Sequence, residues 1–229
     1  PAVAAPPTIA LSPVNAAQSV GLDGPITVTV ATGHLDTVSV TEVGSSVAVH
    51  GTMSGDGRSW QMTDALDQKA HYRVVATASS TAGSTSNATA TFGTVAVRSR
   101  LLTGMTPLNG ETVGVGQTID LRFNTSIPAD RRAALLQRIH ITSTPAVLGG
   151  WHWLDSQNVH FRPEVSWPAH TKVTVSANLN GFGVGGGIWG LGDWTYSFTI
   201  GASHVSLITN RTHPMPDFNG GKLSAKYPF

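Results

Sequence analysis

Cysteine is missing from all 229 residues. The chain therefore forms no disulfide, holds no thiolate metal site and offers no cysteine nucleophile. Charge is also scarce: charged residues make up 12%, the formal net charge is +1, and the Lys and Arg residues are scattered. A nucleic-acid binder would carry a basic stripe or arm, and neither is present. No apolar run approaches the roughly eighteen residues that a membrane span requires. The N-terminus lacks the charged and apolar regions of a signal peptide; Pro1 to Pro7 read instead as a Pro/Ala tether, left after an upstream segment was removed or never included. Long runs of helix formers are nearly absent as well, which argues against a helical protein.

What remains is Val, Thr and Ser, punctuated by 25 Gly and 13 Pro, the composition of an all-β protein. Alternation marks the strands. Ile26, Val28 and Val30 face one way; so do Tyr72, Val74, Ala76 and Ala78, and then Ala88, Ala90 and Phe92. Thr37 to Glu42, Val47 to Met53 and Ser59 to Met62 add further strands. Gly33, Gly44, Gly55 to Gly57 and Gly83 sit in the turns between them. The second half repeats the scheme with Ile119, Leu121 and Phe123, then Trp151 and Trp153, Val159 and Phe161, and Val173 through Leu179. Trp194, Tyr196, Phe198 and Ile200 form the last row. Only Ala129 to Arg138 reads as a helix, with Pro128 placed to start it.

An internal repeat divides the chain. Leu11-Ser12-Pro13-Val14-Asn15, then Val20-Gly21-Leu22, recurs as Met105-Thr106-Pro107-Leu108-Asn109, then Val113-Gly114-Val115. Each copy runs straight into a core strand. The spacing predicts two tandem immunoglobulin-like β-sandwiches, residues 8–97 and 98–201, behind the tether at 1–7. The apolar join from Val95 to Leu102 should be stiff. Residues 202–229 read as a truncated C-terminal β-hairpin, which two strands alone would not stabilise.

The side chains that could carry chemistry divide unevenly. Four of the nine histidines, His140, His152, His160 and His170, fall in the second sandwich. Zinc wants three or four converging ligands, and with few carboxylates nearby the expectation is no metal site. Gly181 to Gly186 match G-x-G-x-x-G, yet a strand follows where a dinucleotide fold needs a helix, so no cofactor is expected. No Gly-x-Ser-x-Gly elbow or Ser-His-acid trio is suggested, and no catalytic residue is assigned. Trp60, Trp151, Trp153 and Trp167 suit core positions. The glycine-rich loop carries Phe182, Ile188, Trp189 and Leu191, which are costly to leave in water. Two readings stay open there: a contact surface, for protein ahead of sugar, or Trp189 folded back as a lid on its own core.

The second sandwich closely resembles the immunoglobulin-like domain that precedes the catalytic domain in mycobacterial L,D-transpeptidases. Val113-Gly114-Val115-Gly116-Gln117, Trp151-His152-Trp153, Val159-His160-Phe161-Arg162-Pro163 and Trp167 to Val175 carry the likeness, as does Ser197-Phe198-Thr199-Ile200-Gly201. The first sandwich resembles, more loosely, the extra N-terminal domain of longer members. Val205 to Ile208, Thr212-His213-Pro214-Met215 and Gly221 to Pro228 look like the opening hairpin of the catalytic domain.

The resemblance implies a parent enzyme that cross-links peptidoglycan through a cysteine acyl-enzyme and is a carbapenem target. That cysteine is not in this chain. The expectation is thus a non-catalytic spacer in the cell envelope, extracytoplasmic and membrane-anchored in the full-length protein. Its partners would be the catalytic domain of the same protein and, as a further candidate, peptidoglycan. The alternative is a stand-alone glycan- or protein-binding adhesion module using the aromatic loop.

Overall fold

The computed structural model describes residues 5–45 and 47–203. The expected hairpin lies almost wholly beyond them. Eight strands build the first half: β1 (Ile9–Ser12), β2 (Ala17–Val20), β3 (Thr27–Val30), β4 (His34–Glu42), β5 (Gly51–Met53), β6 (Ser59–Met62), β7 (His71–Ser79) and β8 (Thr85–Thr94). A two-residue strand, β9 (Ser99–Arg100), lies in the connection. The second half comprises β10 (Thr103–Thr106), β11 (Thr112–Val113), β12 (Ile119–Phe123), α1 (Ala129–Gln137), β13 (Ile139–Thr144), β14 (Gly149–Trp153) and β15 (Asn158–Pro163). It ends with β16 (Lys172–Ala177), β17 (Gly183–Gly185), β18 (Ile188–Trp189) and β19 (Trp194–Ile200).

The two halves share one topology. The sheets β1-β3-β6-β5 and β2-β8-β7-β4 of the first correspond to β10-β12-β15-β14 and β11-β19-β16-β13 of the second. The sequence repeat explains why. In each copy the Pro turn carries the chain from an edge strand of one sheet to the edge of the other, where β2 runs parallel to β8 and β11 parallel to β19. Its asparagine performs the same task twice: Asn15 Oδ1 accepts the Thr91 N–H at 2.9 Å on β8, and Asn109 Oδ1 accepts the Ser197 N–H at 2.9 Å on β19. A side-chain acceptor thus replaces the ladder bond that a turn cannot make.

Alternation places the cores. Ile26, Val28, Trp60, Tyr72, Val74, Ala76 and Phe92 are buried in the first half, with Tyr72 stacked on Phe92. Ile119, Leu121, Phe123, Val159, Phe161, Val173, Val175 and Phe198 fill the second. Trp167 plugs it at 2% exposure. Pro128 starts α1 as expected, fixing its backbone just outside the first turn.

The pattern misleads in three places. The strand expected over Val47 to Met53 shrinks to β5, preceded by an isolated Thr41–Ala48 bridge. The row from Trp194 to Ile200 is buried only at its far end: Trp194 is half-buried and Tyr196 exposed, with the two rings 5.1 Å apart. Trp151 and Trp153 point toward the core but stay half-buried, because β14 is an edge strand.

The β14–β15 turn is closed by Asp155, whose carboxylate accepts the N–H groups of Gln157 (2.6 Å) and Asn158 (2.8 Å). The Gln157 N–H, then the Asn158 side chain, hold its pKa below the ordinary value of 3.8. A depressed carboxylate stabilises the fold fully above the unfolded value, and that contribution fades as pH falls through the folded one. Asp155→Asn should therefore shrink the loss of stability between neutral pH and pH 3, as read by urea unfolding at both. An unchanged pH dependence would count against this role.

Candidate functional site

The glycine-rich loop singled out in the sequence spans residues 178–193. Gly181, Gly185, Gly186 and Gly187 all have positive φ, from 60° to 91°, so the chain doubles back as the β17–β18 hairpin instead of entering a helix. The G-x-G-x-x-G match therefore lies in a hairpin and leads into no helix N-terminus. Asp193 Oδ1 accepts the Asn180 N–H at 2.7 Å and closes the base. Gly190 passes so near the opposite limb that a Cβ there would sit 1.9 Å from the Leu179 carbonyl oxygen. Gly190→Ala should accordingly cost about 1–3 kcal/mol in unfolding free energy. A variant with wild-type stability would show that the loop is not held so closely.

This hairpin lies between the two sandwiches. β18 pairs in parallel with β9, making the connecting segment the third strand of a small sheet. The Arg98 N–H donates to Gly187 O (2.8 Å) and the Leu101 N–H to Trp189 O (2.8 Å). On the N-terminal side the Val97 N–H donates to Gln68 Oε1 at 3.1 Å; on the C-terminal side Asn124 Nδ2 donates to Arg100 O at 3.0 Å. Residues 97–101 are thus bonded to both halves and to the loop.

The four expected contact residues occupy different depths. Phe182 is 1% exposed and belongs to the second core. Ile188, Trp189 and Leu191 are half-buried. The Trp189 ring lies against Gly183 of its own hairpin and Gly21 of the first sandwich, where a Cβ would come within 2.7 Å and 2.9 Å of it. Leu191 contributes its carbonyl, which accepts from Arg100 Nη2 at 3.4 Å.

Two arginines complete the contact. Arg131 on α1 and Arg138 just after it place their guanidinium groups 4.9 Å and 5.1 Å from the Phe182 ring centre. Arg131 Nε donates to Gly183 O at 2.9 Å. Both then reach Asp23, in the turn between β2 and β3, at 3.4 Å and 3.9 Å. A Cβ on Gly181 would come within 2.7 Å of the Ala65 side chain and 3.3 Å of the Leu22 carbonyl oxygen of the first sandwich. Partly exposed ion pairs are worth roughly 0.2–1 kcal/mol, and each cation–π contact about 0.5–2, so packing dominates this junction. Beside it a cleft of ≈ 240 Å³ is lined by Asp23, Gln61, Thr63, Asp64, Arg138 and Asn180, among others.

Nothing in local sequence flags Asp23, Arg131 or Arg138. They are joined across more than a hundred residues, and only the fold brings them together. Of the four histidines, the structure unites His152 and His160, with ring centres 5.5 Å apart; His140 lies on β13 and His170 in the turn before β16. Among the described residues no group of three or more His, Cys, Asp or Glu side chains is placed to hold a metal ion. No helix of the described residues is long and apolar enough to cross a membrane.

Paired sheets of this topology are immunoglobulin-like sandwiches, and the family described as "Bacterial Ig domain" matches residues 17–183. The chain belongs to that family. Its homologues are mycobacterial L,D-transpeptidases. It is 35% identical to L,D-transpeptidase 2 of Mycobacterium tuberculosis over 207 residues, covering 90% of this chain and 50% of that protein. It is 30% identical to L,D-transpeptidase 5 of the same organism over 203 residues, covering 87% and 44%. The chain thus spans about half the length of the curated relatives it matches. A solved L,D-transpeptidase from M. tuberculosis superposes with a TM-score of 0.34 at 26% identity, covering 44% of this chain and 40% of that one.

Proposed function

We propose that this chain is the non-catalytic arm of an L,D-transpeptidase, a stiff two-sandwich spacer that positions a catalytic domain in the cell envelope, outside the cytoplasm. The observation that carries the reading is the bonded junction. A connection paired as β9 to β18, with Trp189 seated on Gly21 and Arg131 on Asp23, resists the free rotation that a bare linker would allow. A spacer works by keeping a distance, and stiffness is what a distance needs. Similarity to L,D-transpeptidases over 90% of the chain supports a place in such a protein. The cysteine that the acyl-enzyme chemistry would need is not among these 229 residues.

The test is mass spectrometry after exposure to a carbapenem, on the full-length gene product and on residues 1–229 separately. An adduct on the longer protein and none on this chain supports the spacer reading. A longer product that takes no drug removes it. Sedimentation of this chain with insoluble peptidoglycan, in the absence of any catalytic domain, would favour the adhesion module instead.

A further inference from the structure

The outer face of the sheet β10-β12-β15-β14 carries one polar row that the spacer reading leaves unused. Strand register places Thr106, Asp120, His160 and His152 side by side across four strands. His152 is exposed and His160 half-buried. The ring centres lie 5.5 Å apart with the planes tilted by 35°. Two other histidines are supported by acids: His34 Nε2 lies 3.2 Å from Asp36 and His50 Nδ1 lies 2.7 Å from Asp64. His152 and His160 have no hydrogen-bond partner among the described residues and touch each other instead.

We propose that His152 and His160 form a cross-strand chelate for one divalent transition-metal ion, with water in the remaining positions. Two imidazoles bound at about 2.0–2.1 Å to one tetrahedral ion hold their ring centres about 5 Å apart, close to the 5.5 Å found here. The antiparallel ladder supplies the preorganisation: both rings rise from neighbouring strands of a four-stranded sheet, so little backbone freedom remains to be lost on binding. Asp120 stands opposite His160 on its other side and is held by Thr118 Oγ1 at 3.0 Å. It adds negative charge next to His160, on the side away from His152, without having to ligate the ion. Imidazole donors select zinc, nickel or copper over the hard cations magnesium and calcium.

With half the protein ligands of a structural zinc site, the dissociation constant should be on the order of 10 µM. Isothermal titration of zinc chloride and nickel chloride into residues 1–229 reads this directly, with two-dimensional amide NMR to locate the ion. The expected result is one site per chain with shifts centred on residues 150–162. His152→Gln and His160→Gln should each weaken it at least about tenfold, Asp120→Asn a few-fold, and His50→Gln not at all. Either of two results overturns the proposal: no binding by the unmodified chain at about 100 µM metal, some tenfold above the expected constant, or binding that survives both His152→Gln and His160→Gln. Circular dichroism of the variants separates lost ligands from lost fold.

Discussion

Trp167→Ala is expected to destabilise the C-terminal sandwich by about 3–5 kcal/mol. The indole is 2% exposed and touches a ring from each sheet of the sandwich, Phe161 on β15 at 6.2 Å and Phe198 on β19, edge-on, at 6.3 Å. It therefore joins the two layers at the point where their facing side chains must interlock. Its Nε1–H also donates to the Gln117 carbonyl at 2.7 Å, and truncation leaves that acceptor without its partner. Trp153 offers a contrast within the same core. Its ring stacks on Phe123 at 5.9 Å, but its Nε1 has no hydrogen-bond partner among the described residues and the side chain is only half-buried. Trp153→Phe should consequently cost less than about 1 kcal/mol, since no hydrogen bond is lost. Urea unfolding of both variants checks the pair. Equal costs would mean that burial between the sheets is not what distinguishes the two tryptophans.

Much of this fold is legible as a period of two. Ile119, Leu121 and Phe123, or Val173, Val175 and Ala177, alternate strictly because one face of each strand meets the opposite sheet and the other meets water. The repeat around Pro13 and Pro107 is legible for a similar reason: one turn must carry the chain between sheets in both halves, so the same residues serve twice. Legibility fails where a strand lies at an edge. Val47 to Met53 alternates acceptably, yet only Gly51–Met53 forms a strand and Ala48 makes no more than an isolated bridge to Thr41; pairing is a property of the fold, not of the segment. It fails again at Trp194 and Tyr196, whose alternation continues past the end of the facing layer.

The loop is the instructive mixed case. Glycines bearing Phe182, Ile188, Trp189 and Leu191 announce that large apolar groups must be covered. They do not announce by what. At the level of sequence two readings stood open, a contact surface for protein or sugar and Trp189 as a lid on its own core. Phe182 is buried in its own sandwich, while Trp189 spans its own hairpin and Gly21 of the other. Sequence could not divide them, because the covering groups Gly21, Leu22 and Asp23 lie in a turn with no apolar pattern of its own. The His152–His160 pair was partly legible, since both flank strand alternations of the same phase. Only the register sets them directly opposite each other.

Phe182→Ala carries the other large expected effect, again about 3–5 kcal/mol in unfolding free energy. Its consequence should differ from that of Trp167→Ala. Phe182 is the surface on which Arg131 and Arg138 rest before they reach Asp23, so removing the ring frees both arginines as well as opening a cavity. The junction between the sandwiches should loosen along with the core. Limited proteolysis within residues 95–102 would then quicken under conditions where the C-terminal sandwich is still folded. Asp23→Asn isolates the ionic part. Those side chains are 21% and 36% exposed, so water and salt screen the pairs, and the variant should cost less than about 1 kcal/mol. Its effect should diminish further as ionic strength rises. If Asp23→Asn cleaves as fast as Phe182→Ala, the arginine–aspartate pairs hold the junction and packing does not. If neither variant changes the rate of cleavage, the pairing of β9 with β18 is enough to keep the arm stiff, and Phe182 serves the core of its own sandwich alone.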